Sequence, residues 1–390
     1  MPPYLSRGTI PAKRHTRLPA QPGYRGEGLY YEEVITTQGF GRAYSIQYHL
    51  RPPTRVSRIE PAGRRDLTIA PQEMLRHFHL KGATLPAYGD PITGRVPVLL
   101  NRDVILSLCR PTAPQTELYR NAAADELLFI HEGSGTLHSS FGPLPFRPLD
   151  YVMIPKTTTY SIEFDPSPTP PKMLVIEANG TIGFPPRYLN PDGQFRLGAP
   201  FAERDLHGPP AVEPIDREEP TTILVQDGER RTRYVLAHHP FDVVGWDGQV
   251  YPYTFNAMDF EPITGTVHQP PPIHQTFQTE GFVVCTFAPR MLDTHPEAIK
   301  VPYAHSNVES DEVLYYVRGK FGSRRGVESG SLTLHPRGIP HGPHPGTIAA
   351  SREMTRTDEL AVMVDTFRPL EVTPAALTLD DPRYPLSWLE

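Results

Sequence analysis

The feature that most restricts what this chain can fold into is a spacing frame that occurs twice. In the second half the order is His305, Asn307, Glu312, Gly319, Pro336, Gly338 and His341; in the first half Tyr119, Asn121, Glu126, Gly133, Pro155 and Tyr160 take the matching places. Both copies leave six residues between the glutamate and the glycine. A carboxylate on one strand, a glycine beyond its end and a proline turn returning to the same mouth describe a short-stranded β-barrel. Two copies imply two similar β-halves. Histidines fill the outer slots of one copy and tyrosines those of the other, so only the second half is expected to bind a metal.

The rest of the chain agrees with an all-β fold. There are 47 prolines and 30 glycines, none in a low-complexity tract, and this punctuation forbids long helices while suiting short strands joined by turns. Apolar runs such as VPVLL, ELLFIHEG, YVMIP and MLVIEA recur from Pro97 to Glu177, the cadence of a sandwich or barrel. The pattern lapses between about Gly180 and Pro220 and then resumes. We therefore expect an N-terminal β-domain over residues 1–220, with a degenerate core at about 97–178, and a metal-carrying C-terminal domain over 221–390. Residues up to about Gly23 read as an extended arm of the kind that packs on a neighbouring subunit. Helix candidates are short, Pro71 to Leu80 and Pro374 to Leu379.

A net charge of −6 without a basic stripe excludes a nucleic-acid footprint. The start lacks a signal-peptide core and no run reaches membrane-spanning length, which points to the cytoplasm. Cys109 and Cys285 sit in apolar runs and read as buried free thiols.

Two imidazoles and one carboxylate on one face of a metal leave other positions open, as a non-haem Fe(II) centre needs to admit substrate and dioxygen. His305, Glu312 and His341 supply that set, with Glu312 preferred to Asp311 because it alone keeps the six-residue gap. A second histidine slot is Asn307, so the triad stands without a fourth ligand. Zinc on the same residues would act as a Lewis acid. His335 and His344 flank His341 closely enough to orient a ligand, and His274 lies on a proline-stiffened loop.

The frame resembles that of the cupin barrels. His305-Ser-Asn307 with Glu312, the run Ser331-Leu-Thr-Leu-His335, Pro340-His341-Gly342-Pro343 and the segment Pro240-Phe-Asp-Val-Val-Gly-Trp246 are similar to the homogentisate 1,2-dioxygenase family. The resemblance implies a two-domain bicupin that opens a 1,4-dihydroxyaromatic acid with Fe(II) and O2, giving maleylacetoacetate from homogentisate in tyrosine and phenylalanine catabolism. It implies iron on His305, Glu312 and His341, substrate contact at His335, His341 and Phe321, and His274 as the catalytic base. It also implies a homo-oligomer, a trimer or hexamer, with no nucleic-acid or membrane partner.

Two departures bear on the substrate: Ser306 stands where the family has arginine, and Phe321 where it has tyrosine. Arg318, Arg324, Arg325 and Arg337 are the candidate partners for a substrate carboxylate. Rival readings are a dioxygenase of another hydroquinone such as gentisate, and a zinc or manganese cupin that isomerises or hydrolyses a polar metabolite.

Overall fold

The computed structural model describes residues 2–19, 28–301, 303–319, 321 and 326–389. Three large antiparallel-rich sheets lie in layers. The first contains, in spatial order, Gly142–Phe146, Gly135–Ser139, Thr159–Phe164, Leu118–Asn121, Thr221–Asp227, Arg230–Leu236 and Val56–Arg64. The second runs Tyr253–Asn256, Asp150–Ile154, Asp125–Glu132, Lys172–Ala178, Val104–Cys109, Arg95–Leu100 and Glu371–Val372. The third runs Gln275–Gln278, Phe282–Phe287, Leu360–Thr366, Asp311–Arg318, Leu332–His335 and Phe78–Leu80.

Alternation along the strands explains the layering, because successive side chains point to opposite faces. In Asp125–Glu132, Leu127 and Phe129 join the large central core, while Leu128 and Ile130 join the core inside the N-terminal barrel. The middle sheet is thus buried on both faces, which is why LLFI and MLVI read as unbroken apolar runs. In Asp311–Arg318, Val313, Tyr315 and Val317 face the same central core, and Leu314 and Tyr316 face the other way, into the C-terminal barrel. Glu312 shares the parity of Leu314. The result is an all-β fold of two cupin halves packed back to back.

The duplicated frame is reproduced hydrogen bond by hydrogen bond. Tyr119 pairs with Tyr160 as His305 pairs with His341, and Glu126 lies opposite Ile154 as Glu312 lies opposite His335. The Thr157 amide donates to the Asn121 carbonyl at 2.8 Å, and the Gly338 amide to the Asn307 carbonyl at 2.7 Å. Both Thr157 and Gly338 are left-handed, with φ of 73° and 75°. Only the glycine adopts that conformation without steric cost. Gly133 and Gly319 also have positive φ, and a Cβ on Gly319 would come within 2.6 Å of the Asp358 carbonyl oxygen. At Gly319 the backbone leaves no room for a side chain, whereas at Gly133 the positive φ is what favours glycine.

Some expectations fare differently. Strands on the two sides of residue 220 are interleaved: Thr221–Asp227, Arg230–Leu236 and Tyr253–Asn256 complete the N-terminal sheets, while Phe78–Leu80 edges the third sheet by pairing with Leu332–Leu334. That pairing also overturns the helix expected from Pro71 to Leu80. Tertiary pairing there outweighs local pattern. Pro374–Leu379 is a helix, capped by the Thr373 hydroxyl, which accepts from the Ala376 amide. The N-terminal arm begins on its own chain, Leu5–Gly8 pairing with Val243–Gly248; part of the remaining arm, residues 20–27, lies outside the described residues. Cys109 and Cys285 are both buried and free.

Candidate metal centre

His305 precedes the strand Asp311–Arg318, Glu312 is the second residue of that strand, and His341 follows the Pro336–Gly338 turn. Reciprocal backbone bonds between His305 and His341, 2.8 and 2.9 Å, clamp the two histidines together. The Nε2 atoms of His305 and His341 each lie 3.5 Å from a Glu312 carboxylate oxygen. One candidate ligand atom from each of the three residues falls within 4.8 Å of the others.

The hydrogen bonds fix which nitrogens face a metal. His341 Nδ1 donates to the Ile339 carbonyl at 3.1 Å, so its Nε2 carries the lone pair; that Nε2 is buried with no hydrogen-bond partner in the structure. An orphaned acceptor beside a carboxylate and a second imidazole is the donor set that a borderline divalent cation such as Fe(II) or Zn(II) satisfies. The residues fit a metal. Exposure is graded: the side chains of His341 and Glu312 are 0% and 8% accessible, whereas that of His305 is 34% accessible, so the open side lies there.

A hydrogen-bonded chain stands behind the carboxylate. His335 Nδ1 donates to Glu312 Oε1 at 2.8 Å, and the ring's Nε2 is 2.9 Å from the Tyr384 hydroxyl. Burial works to raise the Glu312 carboxyl, but the imidazoles of His305, His335 and His341 hold it well below the usual carboxylate range. Asp365, opposite Glu312 in the sheet, is pushed well above its ordinary value by burial and by the Glu312 charge. The two buried carboxyls are shifted in opposite directions, Glu312 toward its charged form and Asp365 toward its neutral one.

A cavity of about 290 Å3 opens on the triad, with His305, Glu312, His274, Phe287, Arg290 and Tyr303 among its walls. His274 ends a short 3-10 turn set by Pro271 and Pro272, and its ring lies 4.6 Å from that of Phe287. Burial, reinforced by the charges of Arg290 and His268, lowers the imidazole to about 3 and keeps it neutral. On the far side, Asp293 Oδ2 is 3.3 Å from His268 Nδ1, and His268 Nε2 is 2.7 Å from the Tyr303 hydroxyl.

Of the residues singled out from sequence, His305, Glu312 and His274 line this cavity, and His341 backs it. His335 does not line it; its ring is fully buried and spends both nitrogens on Glu312 and Tyr384. Phe321 packs edge-on against Tyr316, in the cluster behind the cavity wall. His344 stacks on Trp388 at 4.4 Å. Arg318 is exposed at its strand end, Arg337 approaches Asp311 at 3.4 Å, and Arg324 and Arg325 lie outside the described residues. Sequence reasoning missed Arg290, Tyr303 and Tyr384, which sit outside the repeated frame and carry no spacing signal.

A candidate three-residue metal site at the mouth of a cupin barrel, joined to a half-open, partly aromatic cavity, is an arrangement that a metal-dependent enzyme acting on a small molecule could use. Comparison with known proteins agrees. The sequence family described as homogentisate 1,2-dioxygenase N-terminal matches residues 106–257. A provisionally named dioxygenase of Saccharolobus solfataricus is 36% identical over 99% of this chain and 98% of its own. Homogentisate 1,2-dioxygenases of Rhodopseudomonas palustris are 25% identical over 94% of this chain and 86% of the enzyme in one strain, and 27% over 66% and 59% in another. Among solved structures, a cupin barrel protein from Leptotrichia buccalis matches 76% of this chain and 99% of its own at 10% identity, with a TM-score of 0.34. The chain belongs to the homogentisate 1,2-dioxygenase family, and it is a dioxygenase.

Proposed function

We propose that this protein is an Fe(II)-dependent, ring-cleaving dioxygenase that converts homogentisate and O2 to maleylacetoacetate, in the cytoplasm and as a homo-oligomer, a trimer or hexamer. The observation that carries this reading is the cavity that brings His305 and Glu312 together with His274 and the Phe287 ring. His305, Glu312 and His341 would hold the iron. When bound, Fe(II) supplies Lewis acidity toward a ring hydroxyl and the one-electron chemistry that dioxygen needs.

The chain's own groups do the rest. Burial keeps the His274 ring neutral, and its buried Nδ1, which has no hydrogen-bond partner among the described residues, can accept a hydrogen bond from the second ring hydroxyl. The same burial makes it a weak base, so its role as the proton acceptor depends on the bound substrate restoring its basicity. Phe287 offers an apolar face for the substrate ring. Tyr384 and His335 fix the Glu312 carboxylate in one orientation.

The test is oxygen uptake by protein loaded anaerobically with Fe(II) and given homogentisate, with product absorbance followed in parallel. Stoichiometric uptake with product is expected. Iron binding without uptake on homogentisate, but with uptake on gentisate or another hydroquinone, would move the substrate; no uptake on any hydroquinone would sink the reaction.

A further inference from the structure

Arg290 is an unusual cation. It lies at the start of the two-residue strand Arg290–Met291, in the wall of the same cavity as His274 and Glu312. Its guanidinium donates to the Ala288 carbonyl at 3.2 Å and lies 5.6 Å from the centre of the Phe287 ring. Among the described residues no carboxylate is in ion-pair contact with it. An arginine carries five N–H donors, and the contacts among the described residues use one of its terminal nitrogens.

The other charged groups of the cavity are engaged. The Lys300 ammonium donates to the Asp293 carbonyl, and Asp293 and Tyr303 hold His268. Glu359 and Asp293 act on Arg290 only at a distance, opposing the burial that lowers its guanidinium from the ordinary value. Phe287 is the common platform: the His274 ring packs against it at a tilt of 40° and Arg290 reaches over it. A planar ring resting on Phe287 would present one edge to His274 and a side chain to the guanidinium.

We propose that Arg290 is the anion anchor of this site, pairing with the carboxylate of an aryl-acid substrate and so selecting anionic over neutral aromatic rings. This deepens the reaction proposed above and rests on it. A guanidinium takes a carboxylate through two parallel N–H donors, and such a pair on a partly buried arginine discriminates against a ligand that lacks the charge.

The experiment measures binding apart from turnover. Phenylacetate and phenylacetamide are titrated calorimetrically into metal-free full-length protein; neither carries a ring hydroxyl, so the comparison reads the carboxylate alone. Wild type is expected to prefer phenylacetate by about tenfold or more. Arg290→Met should bring the two within about twofold of each other, and Arg290→Lys should restore part of the preference. No preference in wild type, or an undiminished one in Arg290→Met, overturns the proposal; if Arg290→Met does not fold, Arg290→Gln, which keeps a polar side chain without the charge, is read in its place and must show the same loss. Oxygen uptake by iron-loaded wild type on homogentisate is run beside it. Absent uptake with an Arg290-dependent preference leaves the anchor standing and removes the reaction; uptake with an Arg290-independent preference does the reverse.

Discussion

The two barrels answer the same structural question in opposite ways. In the C-terminal half the two outer slots and the strand glutamate are His305, His341 and Glu312, gathered around a space that a cation would fill. In the N-terminal half the same positions are Tyr119, Tyr160 and Glu126, and the cation is already there as part of the chain. The Arg95 guanidinium pairs with Glu126, donates to the Tyr160 hydroxyl at 2.9 Å, and lies over the Tyr119 ring at 5.4 Å. Burial works to lower this guanidinium, yet Tyr160 and Glu126 raise it well above its usual range. One step further out, Glu177, the counterpart of Asp365, is matched by Arg65 at 2.6 Å. In the degenerate half, covalently tethered cations occupy the place that a removable ion would take in the other.

The walls differ in the same sense. A seven-stranded sheet closes the N-terminal barrel, whereas His305 and His341 are joined by an isolated bridge and the nearby sheet is only Arg290–Met291 with Arg356–Thr357. The thin wall is where the cavity opens. A closed barrel stabilises the protein, and an open one admits a ligand.

The largest effect is expected from Glu312→Ala, which should lower metal affinity more than about a hundredfold, beyond the loss typical of an outer-shell partner, and abolish oxygen uptake; metal analysis after dialysis checks it. Next, Arg95→Met leaves Glu126 buried without its counter-charge. It should cost about 3–5 kcal/mol in denaturant unfolding while the metal content of the folded fraction stays unchanged. If Arg95→Met instead lost metal without losing stability, the division of labour between the halves would be wrong.

A smaller change is expected behind the triad. Tyr384→Phe removes the hydroxyl that fixes His335, and metal affinity should fall by about tenfold with little change in thermal midpoint. The smallest effect concerns pH. Burial works to lower His49, but its hydrogen bonds to Asp242 and Glu33 raise it to about 9 from 6.5. A raised folded value means that the stabilisation is fully present below about pH 6.5 and is lost as pH rises through about 9. Wild type should therefore lose thermal stability across that window, and His49→Gln should show a flatter profile.

How much of this could be read from the residues depends on whether the signal was periodic. The frame from His305 to His341 was legible because turns and strand ends force glycine and proline into fixed places, and the same geometry recurs around Glu126. The all-β fold was legible because the apolar runs are short and bounded by turn residues. Arg95 was not, since it reaches Glu126 from a strand outside the frame, Arg95–Leu100. Arg290 was missed for the same reason, and the arginines nearest in sequence drew attention instead. Strand exchange across residue 220 and the edge role of Phe78–Leu80 depend on partners distant in sequence, which no local pattern announces.

By this reading one barrel holds a metal where the other holds the Arg95 guanidinium. Metal content per chain, measured by elemental analysis on wild type, His341→Ala and Tyr160→Phe after anaerobic loading with Fe(II) and dialysis, tests it most directly. One ion per chain in wild type and in Tyr160→Phe, and none in His341→Ala, is the predicted result. Two ions per chain in wild type, or an ion retained by His341→Ala, would contradict it.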